Sequence, residues 1–302
     1  MRLRVATTAA CMAAILGMGA CSDGSPSGSG SPKASAVAGT TPVPTTTAAQ
    51  PDPEHPAGVI ALGHSGMTGF QSDPAKPGQD VVANSWATGT NPVVNSVYQR
   101  LVAARPATAG LVANVARNGE KADGLEFQVP AALAQVPTPA LALFMIMDND
   151  IRCDGTDPEH LPEFRAAVRA AVEQVVKVSP KVTVVIASGP GRPAEYAKAI
   201  ATLRQTPVNL TGTDPCMMFS ANRKVNATEV ARLTSILESY EAELARACDG
   251  IPQCHWDGGA LARYPGDRLE DYGNDLGHPS IKGHQHWAEA IWSVVARAMG
   301  IS

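Results

Sequence analysis

Short apolar runs of strand length alternate with segments of helical spacing along most of this chain, and this alternation limits the folds it can adopt. The runs that predict buried strands cover residues 59–63, 111–116, 140–147 and 182–188. The segments that predict helices cover residues 93–104, 158–178, 193–203, 227–247 and 280–299, with Asp157 as an N-cap before Pro158. Strands that alternate with helices favour an α/β fold, with a mostly parallel sheet covered on both faces.

The N-terminus has the pattern of an export signal. Arg2 and Arg4 precede an apolar stretch of small residues that ends at Ala20 and Cys21. This pattern predicts a lipoprotein signal peptide over residues 1–20, with Cys21 as the lipidated first residue of the mature protein. An ordinary secreted protein cleaved nearby is the alternative. The stretch is too short and too rich in alanine to favour a permanent membrane span. We expect the protein at the extracytoplasmic face of the cell membrane, or released as a secreted protein.

Residues 21–56 consist almost entirely of Ser, Gly, Thr, Pro and Ala. Such a segment cannot bury enough apolar surface to offset the entropy of ordering, so we predict a disordered tether. The folded domain then covers residues 57–302, about 245 residues, which is enough for one α/β core. The formal net charge of -4 and the pI near 6.0 disfavour a nucleic-acid partner.

The cysteines predict disulfide bonds. Two of the six, Cys11 and Cys21, belong to the signal region, and the remaining four are Cys153, Cys216, Cys248 and Cys254. An even number in an exported chain favours disulfides, with three possible pairings. Cys248 and Cys254 bracket a short loop and are expected to pair, which leaves Cys153 with Cys216. Metal binding by these four is disfavoured, because no CxxC spacing occurs.

A histidine and a carboxylate lie in one short turn near the C-terminus, in the sequence DLGH from Asp275 to His278. Serine is a weak nucleophile at neutral pH and needs a base that a third group orients. Asp275 and His278 could supply both groups. The best candidate serine is Ser65, which follows the first strand between glycines in VIALGHSGMTG. This arrangement indicates hydrolysis of acyl esters.

Polar residues follow three successive predicted strands. Ser65 follows the first, Asn118 and Gly119 follow the second, and residues 148–150, with the sequence DND, follow the third. The ligand site of a parallel α/β sheet lies beyond the carboxyl ends of its strands. We therefore expect these loops and the 275–278 turn to meet at one edge of the sheet.

In order and spacing, these blocks resemble those of the SGNH hydrolases, the superfamily of GDSL lipases and esterases. The family's GDS block corresponds to GHS at residues 63–65, and its second block to NGEKADGL from Asn118. Its third block corresponds to MDND at residues 147–150, and its fourth to DLGH at residues 275–278. The remaining matches are Pro279, Gly283, His284 and the tryptophan of NSW at residues 84–86. The likeness extends from about residue 59 to the C-terminus and so covers the whole predicted domain.

The resemblance implies a three-layer, flavodoxin-like sandwich and a serine esterase that needs no cofactor. By this resemblance Ser65 is the nucleophile, His278 the general base, and Asp275 the group that orients His278. The oxyanion hole would consist of the backbone N–H groups of Ser65 and Gly119 and the side-chain amide of Asn149. Glycine allows a close backbone approach, and a neutral amide donates a hydrogen bond without carrying a charge.

Two residues depart from the family pattern. His64 replaces the aspartate of the GDS block, and Met147 replaces the glycine of the third block. Neither change removes a catalytic atom. We expect His64 to affect the geometry of the serine loop and the substrate preference more than hydrolysis itself. We expect Met147 to narrow or cover the pocket beside Asn149.

Each candidate residue also has a structural interpretation. Ser65 could be a helix N-cap, His278 could cap the last helix together with Ser280, Asn149 could be a turn residue, and Asp148 and Asp150 could be solvated loop carboxylates. His284 and His286, with Asp275 and His278, could suggest a metal site. This is disfavoured because helix positions two apart do not share a face.

Two hypotheses about function therefore remain. The favoured one is an exported, lipid-anchored esterase that acts on small-molecule, glycan or lipid esters, with a slight preference for short-chain acyl or acetyl groups. The alternative is a lipid-anchored solute- or carbohydrate-binding protein that kept the fold without turnover. The modest domain length and the complete Ser, His and Asp set favour the enzyme.

Overall fold

The computed structural model describes residues 52, 54–204 and 210–302. The predicted signal peptide, Cys11, the lipidation site Cys21 and nearly all of the predicted tether lie outside the described residues. Within the described part of the chain, no helix combines the length and the apolar character that crossing a membrane requires.

The described residues contain one five-stranded sheet with the strand order β2-β1-β3-β4-β5. The strands are β1 (Val59–Gly63), β2 (Val112–Asn114), β3 (Leu141–Met145), β4 (Thr183–Ile186) and β5 (Cys254–Trp256). Every neighbouring pair is parallel. This is the flavodoxin-like order, in which ligands bind at the carboxyl ends of the strands. The predicted α/β fold with a parallel sheet is confirmed.

Helices cover both faces of the sheet. They are α1 (Val97–Ala104), α2 (Leu125–Gln135), α3 (Asp157–Val178), α4 (Pro193–Ile200), α5 (Ala227–Ala247) and α6 (Ile281–Ala298). Alternate residues of β1 point to opposite sides, because side chains alternate along a strand. Ile60 and Leu62 pack with α2, α3 and α5, whereas Val59 and Ala61 pack with α1 and α6. All five residues of β1 are buried, as expected of a strand covered on both faces.

The helix predicted over residues 93–104 begins only at Val97, after the cap Ser96. Three further differences concern a missed helix, a missed strand and a misassigned cap. Helix α2 was not predicted, since Pro130 interrupts its sequence and its apolar residues form no clear stripe. Strand β5 is only three residues long and includes His255, so it has no apolar run to mark it. Asp157 is not an N-cap: Thr156 occupies that position, and the Asp157 carboxylate instead accepts hydrogen bonds from the backbone N–H groups of Arg152 and Cys153.

The structure contains both of the expected disulfides. Cys153 is bonded to Cys216, and Cys248 to Cys254. The first bond connects the loop after β3 to the segment before α5, and the second connects the end of α5 to β5. The loop after β3 is therefore tied covalently to a distant part of the chain.

Candidate active site

The serine lies in a tight turn at the end of β1. Gly63 has a φ of +137°, and a Cβ there would lie 1.8 Å from the Met145 carbonyl oxygen, so no larger residue fits. A single 3₁₀ turn, Ser65–Met67, follows at once. Ser65 is not its N-cap: His64 takes that position, and its side chain accepts a hydrogen bond from the Gly66 N–H. The strand end thus places Ser65 at the carboxyl edge of the sheet, with 9% of its surface exposed.

Three side chains from opposite ends of the domain form a continuous hydrogen-bonded line. The Ser65 Oγ lies 2.9 Å from Nε2 of His278. Nδ1 of the same imidazole lies 2.5 Å from Oδ2 of Asp275. Ser65 and His278 are 213 residues apart in the sequence. They meet because the turn that precedes α6 folds back over the edge of the sheet. This line can move a proton from the hydroxyl to the imidazole.

The Asp275 carboxylate is held by its own turn. Its Oδ1 accepts hydrogen bonds of 3.1 Å from the backbone N–H groups of Gly277 and His278. Burial by itself would raise the pKa of Asp275, but the hydrogen bonds from the His278 side chain and from these N–H groups outweigh it and lower the pKa. The carboxylate is therefore ionised and can stabilise a positive charge on His278. The ring of Phe70 packs edge-on against that imidazole, with centroids 4.8 Å apart.

Two loops beside the serine carry the other predicted oxyanion donors. Gly119 has a φ of +74°, and its N–H, like that of Ser65, has no hydrogen-bond partner among the described residues. The Asn149 side-chain amide donates to the Glu120 carbonyl oxygen at 2.9 Å. Both oxygens of the Asp150 carboxylate accept from the Ala122 N–H at 3.2 Å. The loop after β3 is thus fixed to the loop that follows β2.

Asp150 differs electrostatically from the exposed Asp148. Burial raises the pKa of Asp150 to about 6, although the hydrogen bond from the Ala122 N–H acts in the opposite direction. It is a structural anchor of the Gly119 loop. Asp150 is not a solvated loop residue, because it is partly buried and accepts from the Ala122 N–H. Asp148 is more exposed, but its Oδ2 lies 3.6 Å from Nε2 of His64.

His64 itself is buried, with 4% of its surface exposed. Desolvation lowers the pKa of its imidazole and the nearby His278 lowers it further, against the opposing effect of Asp148. The ring is therefore neutral at neutral pH, which leaves Nδ1 free to accept from Gly66 at 3.1 Å.

Two residues support the serine turn from behind. The Trp86 indole Nε1–H donates to the Gly66 carbonyl oxygen at 3.1 Å. The Trp86 backbone N–H in turn donates to Nδ1 of His284 at 3.3 Å. Burial lowers the pKa of His284 to about 3, so its ring is neutral and Nδ1 can accept. Both positions were singled out only by the resemblance, since periodicity gives no sign of their contact.

The two histidines of α6 have different surroundings. His284 is fully buried beside Trp86, whereas Nδ1 of His286 lies 2.8 Å from Oδ1 of Asp271 and 2.8 Å from the Tyr264 hydroxyl. In the part of the chain that the structure describes, no three His, Cys, Asp or Glu side chains are grouped so as to hold a metal ion.

A cavity of about 390 Å³ opens beside the serine and the histidine. Its walls include Leu233, Leu237 and Glu241, which follow one another at intervals of four on one face of α5, and Arg192, which forms a bidentate ion pair with Glu241 at 3.0 and 2.8 Å. The sequence did not reveal these residues, because the four-residue spacing marks a helix face but not the cavity that the face borders.

Met147 does not narrow this cavity. Its side chain is 2% exposed and lies in the core under Gly189.

The parallel sheet carries the Ser65–His278–Asp275 line at its carboxyl edge, where the ligand sites of such sheets lie. The family model described as GDSL-like lipase/acylhydrolase matches residues 59–291. The chain therefore belongs to this family, and it is a carboxylic ester hydrolase.

The solved structures that this chain resembles are distant in sequence. The lipase Lip_vut3 from a goat rumen metagenome is 14% identical, with a TM-score of 0.50 over 82% of this chain and 98% of that one. Phospholipase A1 from Streptomyces albidoflavus NA297 is 14% identical, with a TM-score of 0.47 over 79% and 99%. A family two carbohydrate esterase from Clostridium thermocellum is 15% identical, with a TM-score of 0.48 over 84% and 68%. Among curated proteins, no sequence matches this chain.

Proposed function

We propose that this protein is an exported, lipid-anchored serine esterase that hydrolyses carboxylic esters with short acyl or acetyl groups. The observation that carries the catalytic part is the line from Ser65 through His278 to Asp275, with contacts of 2.9 and 2.5 Å. The export and the anchor at Cys21 are supported by the N-terminal sequence alone.

In the first half of the reaction, Ser65 Oγ attacks the ester carbonyl carbon and its proton passes to Nε2 of His278. The negative charge that develops on the carbonyl oxygen is held by the N–H groups of Ser65 and Gly119 and by the Asn149 amide. The tetrahedral intermediate then collapses to an acyl-enzyme. His278 gives its proton to the alkoxide, which leaves as an alcohol.

In the second half, His278 takes a proton from water while the water oxygen attacks the acyl carbon. Collapse of the second intermediate returns the proton to Ser65 Oγ and releases the carboxylic acid. Asp275 stays ionised throughout and stabilises the imidazolium that forms twice. His278 must be unprotonated to start either half of the reaction.

The size of the cavity bears on the substrate. A volume of about 390 Å³ lies within the range of small-molecule sites and is much larger than an acetyl group needs. The alcohol part of the ester would fill the rest, against the apolar side chains of Leu233 and Leu237. A series of p-nitrophenyl esters tests the acyl preference: kcat/KM should fall from acetate and butyrate to octanoate and palmitate. A maximum at long chains would contradict it.

The role of Ser65 is tested by labelling with a fluorophosphonate and by hydrolysis of p-nitrophenyl acetate. Wild-type protein should be labelled on the peptide that contains Ser65 and should hydrolyse the ester. Ser65→Ala should lose both properties, whereas the exposed Ser239→Ala should keep them. Hydrolysis that survives in Ser65→Ala would overturn the proposed mechanism.

The anchor is tested separately, by growing cells with an alkyne fatty acid and fractionating their membranes. The full-length chain should carry the label and sediment with membranes, and Cys21→Ser should lose both. Cys11→Ser is the matched control and should behave as wild type. Unlabelled, soluble wild-type protein would exclude the anchor without affecting the proposal about Ser65.

A further inference from the structure

The two ring nitrogens of His64 have different partners on different loops. Nδ1 accepts a hydrogen bond from the Gly66 N–H at 3.1 Å, within the serine turn. An imidazole nitrogen that accepts a hydrogen bond carries no proton, so the ring proton is on Nε2. Nε2 lies 3.6 Å from Oδ2 of Asp148, on the loop after β3. The ring therefore spans the gap between the two loops.

Both ends of this contact adjoin residues of the proposed oxyanion hole. His64 directly precedes Ser65, and Asp148 directly precedes Asn149. A change in the distance between the two loops would therefore change the separation of the Ser65 N–H and the Asn149 amide. Both donors must point at the same oxygen, so their separation affects the rate.

The surroundings of His64 leave its ring little freedom. The side chain is 6% exposed, and a Cβ on Gly66 would lie 3.0 Å from Cε1 of the ring. The side chain of Asp148, by contrast, is 47% exposed. An aspartate at position 64 could cap the Gly66 N–H equally well, but it is too short to reach the second loop and would bring a negative charge next to Ser65.

We propose that His64 and Asp148 form a positioning pair, in which a neutral imidazole caps the serine turn and, through Asp148, fixes this turn relative to the Asn149 loop. The inference rests on the proposed role of Ser65 as nucleophile. Both residues border the cavity beside Ser65, but neither side chain is hydrogen-bonded to Ser65, His278 or Asp275. The pair therefore acts through the geometry of the oxyanion donors.

Three variants of the full-length protein test the pair: His64→Asn, Asp148→Asn and the double variant. Asparagine at position 64 keeps an acceptor for the Gly66 N–H but cannot extend to the second loop. Each single substitution should lower kcat for p-nitrophenyl acetate by about 10-fold, with KM nearly unchanged, because the donors contribute mainly in the transition state. The double variant should lose no more than the worse single variant, since both changes break the same contact. The exposed Asp154→Asn, farther along the same loop, is the control and should keep wild-type kcat.

A purely structural role would lower the melting temperature without changing the kcat of the folded enzyme. Thermal unfolding of each variant separates the two cases. Unchanged kcat in both single variants, or losses that multiply in the double variant, would overturn the proposed pair. If wild-type protein is labelled at Ser65 and Ser65→Ala is inactive, that result would leave the proposed function standing. If wild-type protein is not labelled, the proposed function fails, and the positioning pair fails with it.

Discussion

The side-chain amide of Asn149 donates to the carbonyl oxygen of Glu120 at 2.9 Å, across 29 residues of sequence. An amide carries two N–H groups, so this bond holds the side chain in place while a second N–H remains that can donate to an oxyanion. Glu120 follows Gly119, which carries another proposed oxyanion donor. One hydrogen bond therefore fixes two donors relative to each other before any substrate binds.

Removal of this amide should lower the rate strongly. Asn149→Ala and Asn149→Asp should each reduce kcat for p-nitrophenyl acetate by about 100 to 1,000-fold, the usual effect of losing one oxyanion donor. The aspartate variant is the more informative, since it keeps the size of the side chain but places a negative charge where the oxyanion forms. Fluorophosphonate labelling should slow in parallel. A loss smaller than about threefold in both variants would exclude Asn149 from the oxyanion hole.

The sequence was most informative where structure is local. Strand β1 was predicted with its observed bounds, because a fully buried strand appears as an unbroken apolar run. Helix α5 was likewise predicted with its observed bounds, and Asn226 caps it through the Glu229 N–H. The contact between Asp275 and His278 spans three residues, so a single short motif contains both partners.

The features that the sequence missed depend on distant contacts. Asp150 anchors Ala122 across 28 residues, and Arg192 pairs with Glu241 across 49. No period or motif links such positions, because the sheet order brings them together. His64 was recognised as a departure, but its contact with Asp148 becomes visible only when β1 and β3 are seen as neighbours.

Asp275→Asn should abolish most activity without unfolding the protein. The amide would donate to Nδ1 of His278, forcing the proton onto Nε2, which could then no longer accept from Ser65. A loss of about 10⁴-fold in kcat is expected from a wrong tautomer of this kind. The pKa of Asp275 is lowered in the fold, so its contribution to stability is present above the ordinary aspartate value and is lost as pH falls through the lowered one. Because asparagine does not ionise between about pH 6 and 9, a pH series over this range should show no rescue of the variant. Recovery of activity at high pH would contradict the assigned role.

Asp150 should make the stability of the protein depend on pH. Its folded-state pKa is raised to about 6, so the fold favours the protonated form. Its contribution to stability is greatest below the unfolded pKa of about 4 and is lost as pH rises through about 6. Asp150→Asn cannot ionise, and its Oδ1 can still accept from Ala122. Relative to wild type, this variant should gain about 1 to 3 kcal/mol of unfolding free energy between pH 4 and pH 7.

Urea unfolding at the two pH values measures this change. Asp249→Asn, which removes an exposed carboxylate, is the control and should stay close to wild type at both. A difference between Asp150→Asn and wild type that does not vary with pH would show that Asp150 is ionised equally in the folded and unfolded states.

The two disulfides should contribute unequally to stability. Cys153–Cys216 closes a loop with a sequence separation of 63, and Cys248–Cys254 one of 6. A longer closed loop restricts the unfolded chain more, which gives about 4 kcal/mol for the first bond and about 2 kcal/mol for the second. Replacing each pair by serines and measuring unfolding in urea tests this order.

The first pair should also affect kcat, because Cys153 lies four residues after Asn149 and Cys216 lies two before Met218, which lines the cavity. Equal losses of stability, together with unchanged kcat in both double variants, would show that the longer bond neither restricts the unfolded chain nor supports the site.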